Sequence, residues 1–134
     1  MYESYVLQLG DLVKVWIGDG IVVHPSVVTG FAVDGEALVT SKTFHHGVIQ
    51  QRLSQYLAGR YYEVEPYSGP LSRWQVADRA LRRLGEPWSL SSNCEHFAAE
   101  VQGQRSSSPQ LQRAVTACAV IALVCIVAGG GRAA

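Results

Sequence analysis

Five consecutive residues, Asn93-Cys94-Glu95-His96-Phe97, hold the densest chemistry in this chain. Cysteine attacks as a thiolate, not as a thiol. Acyl transfer through sulfur also wants an imidazole to take the thiol proton, and a polar group to orient that imidazole. Ser92 is followed three residues later by Glu95. That spacing reads as a capping box and predicts a helix start with Cys94 in its first turn. Unpaired N–H groups and the positive end of the helix dipole favour a thiolate there, and a nearby backbone N–H could serve as an oxyanion hole. The other reading of a single cysteine is a small buried apolar residue. The residues alone leave both open.

Four histidines could supply the imidazole. His24 precedes Pro25, which reads as a strand terminator. It is therefore expected at a sheet rim facing the Cys94 helix, unless it is a satisfied surface or core residue. His96 lies two residues after Cys94, on a different helix face, and fits a role in packing or hydrogen bonding. His45 and His46 sit in a polar loop and read as structural or solvated. Cys94, His96 and His24 match no common zinc pattern, so no metal or other cofactor is expected.

These residues need a scaffold. Leu12 to Ile17 alternates, with Val13, Val15 and Ile17 on one face and Leu12, Lys14 and Trp16 on the other. Gly18-Asp19-Gly20 reads as a turn into a returning strand, Ile21 to His24, that stops at Pro25. Asp34-Gly35 marks a second hairpin between Phe31-Ala32-Val33 and Ala37-Leu38-Val39. Gly47 to Leu57 reads as a strand and a short helix, and Tyr61 to Val64 as a strand. Leu71 to Leu84 reads as a helix with a buried stripe of Trp74, Ala77, Leu81 and Leu84. Arginines 73, 79, 82 and 83 occupy its other sides, either solvated or available to anionic headgroups.

Length and charge narrow the classes. The 134 residues carry 11 basic and 11 acidic side chains. One domain is expected, and nothing argues for nucleic acid. The three cysteines, 94, 118 and 125, form no disulfide framework. Met1-Tyr2-Glu3-Ser4-Tyr5 does not read as a signal peptide, which points to the cytosol. Ala114 to Gly131 is apolar apart from Thr116 and flanked by Arg113 and Arg132. About 18 residues at about 1.5 Å each match a thin bilayer core. The organisation expected is a domain over 1–104, a polar linker over 105–112 and a membrane anchor over 113–132.

Asn93-Cys94-Glu95-His96-Phe97 resembles the nucleophile motif of the lecithin:retinol acyltransferase family, in its phospholipase A/acyltransferase (HRAS-like suppressor) branch. Gly10-Asp11-Leu12-Val13-Lys14-Val15 resembles the family's first strand, and Gly18-Asp19-Gly20-Ile21-Val22-Val23-His24 its histidine-bearing hairpin. The resemblance implies an α+β, circularly permuted papain-like cysteine-hydrolase fold, a small antiparallel sheet packed on helices, here with a C-terminal transmembrane helix. It implies Cys94 as nucleophile through an acyl-thioester and His24 as base or base-orienting imidazole, with Asn93, Glu95 and His96 in support. The partners implied are a phospholipid acyl donor and a lipid or amine acceptor, met by a domain tail-anchored on the cytosolic side of an intracellular membrane. The family uses two histidines, and the upstream one is absent. Counting back twelve from His24 gives Leu12. The alternative function is therefore a catalytically impaired relative acting as a membrane-tethered binding or regulatory module.

Overall fold

The computed structural model describes residues 5–17 and 22–104. The Gly18-Asp19-Gly20 turn, the polar linker and the apolar segment lie outside the described residues. Among the described residues no helix is long and apolar enough to cross a membrane.

Among the described residues five strands and three helices make an α+β fold: β1 (Leu12–Ile17), β2 (Val22–Phe31), β3 (Ala37–Thr43), β4 (Gly47–Arg52), α1 (Leu53–Leu57), β5 (Tyr62–Glu65), α2 (Arg73–Leu81) and α3 (Cys94–Val101). The strands form one antiparallel sheet in the order β4-β3-β2-β1-β5. The period-two pattern of each strand then sorts its side chains onto two faces. On one face Leu12, Val27 and Val48 pack with Val76 and Ala80 of α2 and with Phe97, Ala98 and Val101 of α3. On the other, Val13, Val15, Val28, Ala37 and Val39 pack with Tyr56 of α1, flanked by Leu53 and Leu57.

Two expectations change here. Pro25 does not end β2, which runs on to Phe31. Pairing with β3 begins only at Val27, so Pro25 owes no N–H to that neighbour. The second helix is shorter than expected, and its buried stripe is Val76, Ala77 and Ala80. Trp74 and Leu84 are instead exposed. Ala77 belongs to both stripes, and the buried face turns from Trp74 and Leu84 toward Val76 and Ala80. Its arginines are engaged internally. Arg73 pairs with the buried Asp11, Arg82 with Asp78, and Arg83 with Glu86 and Glu100, while Arg79 donates to the Glu100 carbonyl.

Asp11 anchors this end of the fold. Its carboxylate accepts from the backbone N–H groups of Tyr67 and Gln8, from Arg73, and from the Tyr5 hydroxyl. Burial alone would raise its pKa, but the Tyr67 amide and Arg73 together bring it below the ordinary value. The Gly10-Asp11 pair that opens the family-like first strand is thus a structural joint.

Candidate active site

Cys94 is the first residue of α3, and the helix start differs from the expected capping box. The N-cap is Asn93, not Ser92. Asn93 Oδ1 accepts from the N–H groups of Glu95 at 3.0 Å and His96 at 3.1 Å. His96 Nδ1 accepts from the Asn93 N–H at 3.3 Å and closes the box. Asparagine is as good a cap as serine, and the helix begins one residue later. His96 and Asn93 therefore hold the loop that presents Cys94.

Ser92 has a different partner, one that the sequence reading missed. Lys42 of β3 is fully buried and donates to Ser92 Oγ at 2.6 Å and to Glu86 Oε1 at 2.7 Å. Glu86 also takes both arms of Arg83. Hydrogen bonds from Arg83 above all, with help from Lys42, outweigh burial and hold the Glu86 carboxyl down at about 2. Arg83 continues to Glu100 on α3, and its guanidinium stacks 5.0 Å over Phe97. Backbone bonds fasten the same strap to the sheet: Val48 N–H donates to Glu86 O and Gly85 N–H to Val48 O, each at 2.9 Å. Gly47 makes that approach possible, since its φ is +66° and a Cβ would fall 2.3 Å from Glu86 O. Lys42 lies at an inward position of a β-rich strand, and that parity was the available signal.

The electrostatics at Cys94 also run against expectation. The half-buried thiol is pushed up to about 11, first by burial and then by the Glu95 carboxylate. Hydrogen bonds from the Glu95 N–H and from the residue's own N–H pull the other way and are outweighed. At neutral pH the sulfur is a thiol, not the thiolate that the helix start suggested.

His24 does not face the Cys94 helix. It pairs with Val15 across β1 and β2, and Val15 belongs to the α1 face. Its ring meets Tyr56, with centroids 5.7 Å apart. The Tyr56 hydroxyl lies at the carbonyls of Val13, at 3.1 Å, and His24. Burial, then the charge of Arg60, lowers the His24 pKa to about 4, so the ring is neutral. Burial raises the Tyr56 phenol, and a negative charge on Cys94 would raise it further.

His45 and His46 occupy the β3–β4 turn beside Phe44, which packs against Trp88 of the strap at 4.9 Å. Among the described residues no three His, Cys, Asp or Glu side chains are grouped to hold a metal ion.

A small antiparallel sheet packed on helices is what the sequence resemblance implied. The family model for lecithin retinol acyltransferase matches residues 13–107, most of the chain, and the chain belongs to that family. It is 32% identical over 134 residues to human phospholipase A and acyltransferase 2, covering 86% of this chain and 82% of that protein. Mouse phospholipase A and acyltransferase 3 is 31% identical over 130 residues, covering 83% of this chain and 80% of that protein. The human counterpart of the latter is 30% identical over the same length.

Proposed function

We propose that the chain is a phospholipid acyl hydrolase and acyltransferase in which Cys94 takes the acyl group as a thioester. The observation that carries this reading is Cys94 at the head of the capped helix in a chain of this family. In acylation the sulfur–carbonyl bond forms and the ester C–O bond breaks. The thiol proton ends on the departing lysophospholipid hydroxyl. Water, a lipid hydroxyl or an amine then takes the acyl group, and the sulfur regains a proton. Residues 113–132 serve in this reading as the membrane anchor that keeps the domain at its substrate.

A second reading, a membrane-tethered binding module with impaired catalysis, is favoured by the place of His24 on the opposite sheet face. One experiment separates the two. The purified full chain is incubated with phosphatidylcholine vesicles and its intact mass measured. Catalysis predicts an acyl adduct that maps to Cys94 and lingers, because deacylation needs an imidazole more than attack does. An unmodified chain after prolonged incubation at pH 9 would establish the binding module instead.

A further inference from the structure

The chain as a whole carries as many acidic as basic side chains, yet one cleft departs from that balance. It opens between the last turn of α2 and the end of α3, with a volume of about 460 Å³. Arg79, Arg82, Arg83, Glu100, Gly103 and Gln104 line it, so three guanidiniums face one carboxylate.

The three arginines are not equally engaged. Arg83 is committed to Glu86 and Glu100. Arg82 meets Asp78 through Nε alone, at 2.8 Å, and its side chain is 76% exposed. Arg79 is also exposed and has no carboxylate partner; its Nη2 donates to the Glu100 carbonyl at 2.7 Å. Both Nη groups of Arg82, with Nε and Nη1 of Arg79, have no partner among the described residues. A guanidinium fork is planar and matches two oxygens of one phosphate.

The place of the cleft in the chain selects the phosphate. From Gln104, in its wall, to Ala114, where the apolar segment begins, is ten residues. At no more than about 3.5 Å each, they reach about 35 Å at most. A bilayer entered at Ala114 therefore holds its headgroups near the cleft at high effective concentration.

We propose that this cleft seats the phosphate of an anionic phospholipid headgroup in the membrane that residues 113–132 enter, with Arg79 and Arg82 as its donors. This rests on the anchor reading above. A tether limits distance and leaves orientation open. A headgroup held beside Val101 sets the orientation, with Cys94 seven residues back along α3, about 10 Å of helix.

The full chain is reconstituted in phosphatidylcholine vesicles, with and without about one-third phosphatidylserine, and phenylglyoxal modification of each arginine is followed by peptide mass. Phosphatidylserine should slow modification of Arg79 and Arg82 about fivefold, the factor roughly expected of one basic side chain at an anionic leaflet. The exposed Arg60, which follows α1 on the other face of the sheet, should react equally on both vesicles. Arg82→Glu should return Arg79 to its rate on phosphatidylcholine alone. Equal modification of Arg79 on the two vesicles overturns the proposal, as does slowing of Arg60 to the same degree. Equal protection by inorganic phosphate in place of phosphatidylserine overturns the lipid assignment. Carbonate extraction of the same samples separates the two readings. A chain retained on the vesicles with Arg79 unprotected sinks the headgroup site alone, whereas a chain released from them sinks the anchor reading and the site with it.

Discussion

The two faces of the sheet have divided the chemistry between them. The α3 face holds Cys94 with its capped helix start, the buried Lys42 and the unpaired Trp16 indole. The α1 face holds the imidazole, neutral and packed on Tyr56. Each face is well packed, and Cys94 and His24 lie on different faces. The difference teaches that having a cysteine and a histidine is not enough. Strand parity decides whether they meet, because a shift of one residue reverses the face of every side chain on a strand. β2 specifies that parity weakly by hydrophobicity, since Val27 and Val28 are both fully buried on opposite faces.

The largest effect that tests this division is loss of the sulfur. Cys94→Ser should abolish acyl adduct formation and turnover while melting at an unchanged temperature. Retained phospholipid hydrolysis would place the chemistry elsewhere on the sheet.

The pH profile comes next. With a thiol near 11 and the His24 imidazole on the other face, the rate should follow the thiolate fraction. The expected rise is about tenfold per pH unit between 7 and 10. A plateau beginning near pH 6 or 7 would mean that an imidazole does reach Cys94.

Moving the imidazole across the sheet should have the next largest effect. Val23 neighbours His24 in sequence and lies on the α3 face opposite Trp16. Val23→His combined with His24→Val should speed deacylation about 10- to 100-fold, within the range of a positioned base. His24→Ala alone should change turnover less than about twofold, since a group on the other face contributes no proton transfer worth its usual 10²–10⁴. A collapse of activity in His24→Ala would break the comparison.

The smallest effect is on stability. The His24 pKa falls from 6.5 to about 4 on folding, so the unfolded chain binds the proton more tightly. His24 therefore favours the fold fully above about pH 6.5 and loses that contribution as pH falls toward 4. The shift corresponds to up to about 3 kcal/mol, less whatever solvent reaches the half-buried ring. Denaturant melts at pH 7 and pH 4.5 should show a steeper loss in the wild type than in His24→Gln.

The sheet was legible in the sequence wherever alternation was strict. Leu12 to Ile17 gave both the strand and the division of its faces, and Asp34-Gly35 gave the second hairpin. The strand–helix sequence over Gly47 to Leu57 also stands as read. What could not be read were quantities set by long-range contact. Pro25 looked like a stop because local sequence does not reveal where pairing with β3 begins. Ser92 looked like the cap because a lysine fifty residues away is invisible to local pattern. Trp74 looked buried because helical spacing gives the period of a stripe but leaves its phase to the packing partner. Cys94 looked ionised because a helix start is legible locally, whereas desolvation depends on what packs over it.

The Lys42 latch has a consequence for the order in which this protein is made. Its two partners lie 44 and 50 residues downstream, and Gln102 reaches back 92 residues to Gly10. A chain leaving the ribosome can pair its N-terminal strands long before the strap and α3 have emerged. Through that interval the ammonium of Lys42 has no carboxylate to meet and the inner face of the sheet stands open. Cys94 is thus seated only once the segment carrying Glu86 and Ser92 has closed onto the sheet.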